Sequence, residues 1–449
     1  MSTPNRPTTV TGAATDSTIG RTAGMTGAMP ADLVDHPTRP SDLAGAAAPA
    51  SRSAPRVLLL CDSLAVSGGV ERFVCQLAND LVRRGFRVAV GSVDTPAQAV
   101  RYPLDSSVQV LAGTTPRQGD EPASSGLRVV QAWRMFAAQW RCGRALARLM
   151  RASDADVIVL NGLVTACSAL LFAPGQAQRV VCCDHNHFDA RSRLWQRLRA
   201  RLYPKVAALV SLSKADLPRF AALNPNSRVI YNASSLHAAE PNLPATPLVL
   251  AVGRHAAQKG FDLLLLAWRR VLDQLPQTQR RQVRLRIVGD GPLEAQLHEL
   301  ADTLGLNRSV EWVAPTPDIE AHYREAAVFV LSSRYEGMPL VLLEAQALGV
   351  PCVAFDCPTG PREIISGNTG IVVPAEDVNA LAQALQALLA RPDLRIRMGK
   401  AAIARSHKHF SPERHVNGWA TLIREVALAR RKGALPTQAS NSATGQRQP

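Results

Sequence analysis

The chain has 449 residues and a formal net charge of +15 at pH 7, and its apolar fraction of 46% is that of a soluble globular protein. That length is long for one hydrophobic core, so two domains with tails are expected. The charge is unevenly placed: residues 55–243 hold 23 Lys and Arg against 13 Asp and Glu, which points to an acidic partner such as a phosphorylated substrate, a membrane surface or a nucleic acid.

Residues 1–54 are rich in Ala, Thr, Pro, Ser and Gly without periodicity and are expected to form a disordered leader. No basic start precedes an apolar block there, so the leader is not a secretory signal. The eight cysteines form no CxxC pair and no metal-like spacing. Cys61, Cys75, Cys167 and Cys352 sit in apolar surroundings and are expected to be reduced core residues of a cytoplasmic protein.

In "PRVLLLCDSLAVSGGVERFVCQLANDLVRRGFRVAVGS" an apolar strand, a turn at Gly68 and Gly69, a helix from Val70 and a second strand make a βαβ unit. Val157–Pro174, "VIVLNGLVTACSALLFAP", is uncharged over about the length of a membrane span. Its polar interruptions and β-branched start favour strand, turn and helix instead. Strands "QRVVCCDHN" and "VAALVS" follow, with a strongly basic helix between them. The segment "NPNSRVIYNASSLHAAEPNLPATP" is loop-like and supplies a linker. Alternation then restarts with "PLVLAVGR", "VRLRIVGDG", "SVEWVA", "VFVLSS", "PCVAFD" and "TGIVVP" as strands separated by helices, and ends in a long helical region from about Glu376 to Arg430. The predicted class is α/β, two doubly wound Rossmann-like domains facing each other across a cleft. The bounds are 55–243 for the first and 244–410 for the second, with a helix over 411–430 packing back on the first and a disordered tail over 431–449.

The most informative stretch is "SSRYEGMPLVLLEAQALGVPCVAFDCPTGPREII". Glu336 leaves the C-terminal end of a buried strand, where such sheets bind ligands, and Glu344 lies about two turns into the next helix. Free N–H groups at that helix start favour a phosphate, and a carboxylate can accept two hydroxyls at once, as a ribose diol or sugar ring offers. Taken singly, either glutamate could equally be a solvated side chain.

This string resembles the E-x7-E element of the retaining glycosyltransferases of family 4, which have the GT-B fold, and the resemblance extends over about residues 55–430. Its "CPTGPREII" ending is most similar to members that extend lipid-linked oligosaccharides and surface polysaccharides. The resemblance implies that Glu336 contacts the donor sugar and Glu344 the nucleotide ribose. Gly337, Met338, Pro339 and Leu340 are then part of the donor site, and Arg254 and Lys259 of "GRHAAQKGFD" bind the diphosphate. It also places Gly289 and Gly291 beside the base and Gly68 and Gly69 beside the phosphates and acceptor. A histidine is implied near the reacting carbon; His185 of "DHNHF" aligns best and His187 is its rival. Backbone N–H groups around Thr359 and Gly360 are expected to be able to face the sugar, whereas Arg362 and Glu363 are as well read as structural.

The implied reaction transfers a hexosyl or N-acetylhexosaminyl unit from a nucleoside diphosphate sugar, UDP being commonest in the family, with retention. No metal is required, since Arg254 and Lys259 can neutralise the leaving diphosphate, and no other cofactor is expected. "RSRLWQRLRARLYPK" carries Arg191, Arg193, Arg197, Arg199, Arg201 and Lys205 without an acid, with Leu194, Trp195, Leu198 and Leu202 expected on one helix face. A second acid-free basic stretch covers residues 127–151. Such helices suit an anionic membrane surface or a pyrophosphate head group. The expected acceptor is therefore a saccharide on a lipid diphosphate, at the inner face of the cytoplasmic membrane. Two rivals stand beside this reading: a sugar-nucleotide epimerase on the same architecture, and a basic nucleic-acid-binding protein, against which the absence of nucleic-acid motifs counts. A dehydrogenase is disfavoured because no GxGxxG follows the first strand.

Overall fold

The computed structural model describes residues 54–432, apart from residues 67, 94–98, 112–127, 242–243 and 245–246, and apart from the side chains of 128–136. The expected leader and tail fall outside these residues except at their inner ends. Two parallel sheets organise the rest.

The first sheet contains β1 (Arg56–Leu60), β2 (Arg87–Gly91), β3 (Gln109–Leu111), β4 (Val157–Asn161), β5 (Val180–Cys183), β6 (Ala208–Ser211) and β7 (Ser227–Val229), in the order β3-β2-β1-β4-β5-β6-β7. Its helices are α1 (Gly69–Arg83), α2 (Arg128–Ala152), α3 (Leu163–Phe172), α4 (Arg193–Leu202) and α5 (Leu217–Leu223). The second sheet contains β8 (Leu248–Val252), β9 (Arg284–Val288), β10 (Val310–Val313), β11 (Val328–Leu331), β12 (Cys352–Phe355) and β13 (Gly370–Val373), in the order β10-β9-β8-β11-β12-β13. Around it run α6 (Phe261–Gln274), α7 (Gln277–Arg280), α8 (Glu294–Thr303), α9 (Ile319–Glu325), α10 (Leu340–Ala347), α11 (Pro361–Ile364) and α12 (Val378–Leu389), followed by α13 (Pro392–His409) and α14 (Pro412–Arg431).

The central strands are apolar and β-branched because both faces are covered; every residue of β4 and of β11 is buried. Helix α1 stops where Gly85 takes φ 79°, with its N–H on the Val82 carbonyl and the Phe86 N–H on that of Leu81. That left-handed residue satisfies the last carbonyls and turns the chain into β2. In each sheet strand order reverses once, between β1 and β4 and between β8 and β11. The crevice opened by such a reversal lies beyond the strand C-termini, and this is where both halves of the chain place their polar loops.

Helix α14 returns to the first sheet. The Trp419 ring lies 5.9 Å from that of Phe73 on α1, and Arg430 donates to the Ala155 carbonyl at 3.3 Å. None of the eight cysteines is in a disulfide, and Cys142 alone among them is not buried. The span-like stretch is β4 followed by α3, and among the described residues no helix is long and apolar enough to cross a membrane.

Three expectations need correction. The segment read as a loop before the linker contains β7, and β3 adds a strand that the sequence pattern does not reveal; both are three-residue edge strands, too short to show a period. On α4, Trp195, Leu198 and Leu202 pack on the first sheet's core, whereas Leu194 is 61% exposed and belongs to the outer surface. Arg199 is not on the outer surface at all: it is 2% exposed, its guanidinium lies 3.4 Å from the Phe188 ring centroid, and it pairs with Asp184. Residues 195, 198, 199 and 202 share one side of a helix, so Arg199 turns inward with the three apolar residues.

Candidate functional site

Beyond the two strand-order reversals lies a cavity of about 670 Å³ whose walls include Asp62, Glu71, Asn161, His185, His187, Arg254 and Asp290. The first five come from the N-terminal half and the last two from the C-terminal half. Arg254 is exposed on its wall, in the loop that follows β8.

The carboxylate of Glu336 is buried and is not among the groups lining this cavity; the residue is linked to it through His187. Its Oε1 accepts the Lys259 ammonium at 2.7 Å and the Ser333 hydroxyl at 2.6 Å. The backbone carbonyl of Glu336 accepts the N–H groups of His187 at 3.1 Å and Thr359 at 3.0 Å. Loops after β5, β11 and β12 therefore converge on one residue. Lys259 and Glu336, expected from sequence to serve one ligand, are brought into direct contact.

Glycines permit the close approach. Gly337 forms an antiparallel bridge with Asn186, and a Cβ at Gly337 would lie 2.3 Å from the His185 carbonyl oxygen. A Cβ at Gly289 would lie 2.0 Å from the Gly253 carbonyl oxygen, and one at Gly291 2.6 Å from that of His255. These two glycines thus let the loop after β9 rest on the loop that carries Arg254. Gly69 begins α1, where a Cβ would meet Leu340 at 3.8 Å; the starts of α1 and α10 face each other.

Glu344 is 2% exposed, with both oxygens engaged. Oε2 accepts the Tyr323 hydroxyl at 2.9 Å, and Oε1 is paired with the Arg72 guanidinium. Burial raises its carboxyl pKa, and Arg72 and the Tyr323 hydrogen bond oppose that rise. Met338 is buried, its carbonyl accepting from Asn232 at 3.2 Å, and Pro339 caps α10 with Leu340 as the first helical residue.

Both candidate histidines line the cavity. Nε2 of His185 lies 3.0 Å from Oδ1 of Asn161, whose Nδ2 donates to the Leu60 carbonyl at 3.1 Å. With Nδ2 so used, Oδ1 is the acceptor and Nε2 of His185 carries the proton. Burial, reinforced by nearby His415, pushes the His185 pKa down to about 3, so the ring is neutral. His187 is also lowered by burial, with Asp216 opposing, and its Nδ1 accepts the Asp189 N–H at 3.3 Å. Among the described residues no group of three or more His, Cys, Asp or Glu side chains is placed to hold a metal ion.

Two family models match successive parts of the chain: Glycosyltransferase Family 4 over residues 67–236 and Glycosyl transferases group 1 over residues 235–405. The chain belongs to glycosyltransferase family 4. It is 29% identical over 384 residues to the amylovoran biosynthesis glycosyltransferase AmsD of Erwinia amylovora, covering 82% of this chain and 99% of that protein. It is 25% identical over 368 residues to an α-1,4-N-acetyl-D-galactosaminyltransferase of Campylobacter jejuni whose named substrate is a saccharide on diphosphate-undecaprenol, covering 81% of this chain and 97% of that one. Anabaena HepE, solved in complex with UDP and glucose, superposes with a TM-score of 0.63 at 20% identity, over 84% of this chain and all of that one. The fold is GT-B.

In this family 4 transferase the "CPTGPREII" segment ties the halves together. The Glu363 carboxylate accepts the N–H groups of Lys214 at 2.9 Å and Ala215 at 3.0 Å and the Tyr231 hydroxyl at 2.8 Å. Arg362 pairs with Asp356 at 2.6 Å. Gly360 takes φ 99°, and a Cβ there would lie 2.7 Å from the Gly337 carbonyl oxygen, so this loop packs directly under the glutamate loop. Arg193, Arg197, Arg201 and Lys205 are exposed on or just after α4 of the transferase; Arg191, also exposed, is at the cavity wall. Sequence reasoning missed Arg72, Tyr323 and Asn161. Only Arg72 had a local signal, as the cation one turn inside the helix that follows the Gly68–Gly69 turn.

Proposed function

We propose that this transferase moves a hexosyl or N-acetylhexosaminyl unit from a UDP-sugar to a saccharide acceptor carried on a lipid diphosphate, in bacterial polysaccharide or glycan biosynthesis. The observation that carries the reading is the Lys259–Glu336 pair at the strand-order reversal of the second sheet, facing the loop of His185 and Asn186 across the cleft. A donor lying there has its diphosphate between Arg254 and Lys259 and the start of α10, where cations and free N–H groups stabilise charge as it develops. Lys259 gives one donor to Glu336 and keeps others for phosphate. Glu336 and His185 orient the sugar from opposite sides, and Glu344 receives the ribose hydroxyls.

The bond from the anomeric carbon to phosphate oxygen breaks while the acceptor hydroxyl attacks the same face. The hydroxyl proton passes to the departing phosphate oxygen. Configuration is retained, no metal is needed, and the two cations take up the charge of the leaving diphosphate. The relatives that act in amylovoran biosynthesis and on a diphosphate-undecaprenol saccharide, and the fold neighbour crystallised with UDP, support the donor and acceptor classes. The exposed cations of α4 beside exposed Leu194 support work at the inner face of the cytoplasmic membrane.

The test is a screen of UDP- and GDP-sugars against lipid-diphosphate saccharides. A product one sugar longer than the acceptor, formed from a UDP-sugar with retained anomeric configuration in the presence of a chelator, is the expected result. An epimerised nucleotide sugar formed without acceptor would replace transfer by epimerisation.

A further inference from the structure

Glu344 lies inside α10, and the two groups on its carboxylate come from different places. Tyr323 is on α9 of the same half of the chain, whereas Arg72 is on α1 of the other half. The guanidinium thus crosses the cleft to reach a carboxylate that is itself 2% exposed. Glu71, the neighbour of Arg72, lines the interdomain cavity, whereas Arg72 and Glu344 are not among its lining residues; the pair is one residue along α1 from the cavity wall. Tyr102 adjoins the same cluster, with Arg72, Glu71 and Glu344 all close enough to perturb its hydroxyl.

A buried carboxylate without a countercharge is strongly disfavoured in its ionised form. The neutral acid has one oxygen turned into a donor and so keeps less acceptor capacity for two hydroxyls. If the cleft opens, α1 takes Arg72 away and Glu344 keeps only a phenol. With Arg72 in place the buried carboxylate has a countercharge, its plane is set by partners on both oxygens, and roughly four lone-pair sites shared with those partners leave room for ribose hydroxyls.

We infer that Arg72 is a positioning residue of the donor site, supplied by the half of the chain opposite the nucleotide, which pairs with the Glu344 carboxylate and holds it oriented so that the ribose site is complete only when the two halves are together. The inference rests on the reading of Glu344 as the ribose-binding carboxylate. A merely structural ion pair would alter stability alone; a positioning role alters the grip on nucleotide.

The whole protein is compared with its Arg72→Gln, Arg72→Lys and Glu344→Gln variants, with UDP, GDP, ADP and dTDP as calorimetric probes and the melting temperature as a parallel readout. Arg72→Gln is expected to weaken the nucleotide that the natural protein holds best by at least about fivefold, the low end of coupling between linked sites. Arg72→Lys, which keeps the charge and loses the fork, is expected between the two. Natural affinity in Arg72→Gln together with weak binding in Glu344→Gln would overturn the role of Arg72 and leave that of Glu344 standing. Natural affinity in Glu344→Gln would instead overturn the reading on which the inference rests. If Arg72→Gln does not fold, Arg72→Lys decides alone: weaker nucleotide binding at an unchanged melting temperature supports the role, and unchanged binding rejects it.

Discussion

Lys259 Nζ lies 2.7 Å from Glu336 Oε1, so the cation that follows β8 and the carboxylate that follows β11 form a single charged unit across the strand-order reversal of the second sheet. Neither is fully exposed, and Ser333 holds the same carboxylate oxygen at 2.6 Å. Each residue therefore helps to fix the position of the other.

Lys259→Ala removes a diphosphate ligand and leaves Glu336 buried without its countercharge. Turnover with a saturating donor is expected to fall by about 100-fold or more, the range found when one electrostatic donor to a transition state is lost. Steady-state kinetics checks this, with far-UV circular dichroism expected to be unchanged. Turnover within a few-fold of the natural enzyme would remove Lys259 from the mechanism.

Gly337→Ala puts a methyl group into a space where a Cβ would be 2.3 Å from the His185 carbonyl oxygen. Because the contact is backbone, the two loops must separate. The bridge from Gly337 to Asn186 is expected to break, transfer to fall at least about tenfold, and stability to drop by roughly 1–3 kcal/mol, as for other overpacked sites. Urea unfolding and transfer assays on the same preparation measure both. A variant as active and as stable as the natural chain would show that the loops do not need this contact.

His185 and His415 have pKa values pushed by burial from 6.5 to about 3 and about 4. Both are neutral in the folded protein, so the unfolded chain binds more protons as pH falls below 6.5. Stability from these two residues is present in full above that pH and is lost progressively as pH falls from about 6.5 towards 4. Glu344, whose pKa is raised, acts in the opposite sense, over the interval from 4.5 up to its raised value. The expected result is a lower unfolding midpoint at pH 5 than at pH 7, with a smaller difference in His415→Gln. An equal pH dependence in that variant would mean that His415 is not the group that titrates.

Arg193, Arg197 and Arg201 are exposed around exposed Leu194, whereas Arg199 is buried on the same helix. Each exposed cation near an anionic leaflet contributes about 1 kcal/mol, screened by salt. Replacing Arg193, Arg197 and Arg201 by Ser is expected to reduce sedimentation with phosphatidylglycerol vesicles without altering the melting temperature. Arg199→Ala is expected to do the reverse, because it strips the partner from buried Asp184. Undiminished vesicle binding in the triple variant would move membrane contact away from α4.

Much of the molecule follows from local chemistry. Runs such as "VLLL", "VIVLN" and "VFVL" are apolar for longer than a half-exposed strand allows, so a doubly covered parallel sheet is legible in the chain itself. Gly68, Gly69, Gly337 and Pro339 mark where strands hand over to helices, and the spacing of Glu336 and Glu344 puts one acid in a loop and the other on α10, just over one turn in and not the two turns expected. These features depend on residues a few positions apart, and a linear reading captures them.

What tertiary structure alone decided is which groups from distant segments share one small space. Arg72 and Glu344, Asn161 and His185, and Asn186 and Gly337 carry no mutual signal in the chain, because their contacts arise only once the sheets have formed and their strand C-termini face one another. Charge state was settled at the same stage: burial makes His185 neutral and raises the Glu344 pKa against the opposing pull of Arg72, and burial belongs to the folded molecule. The residue types and their local spacing set what chemistry was available; packing set which of them are ionised, oriented and within reach of a ligand.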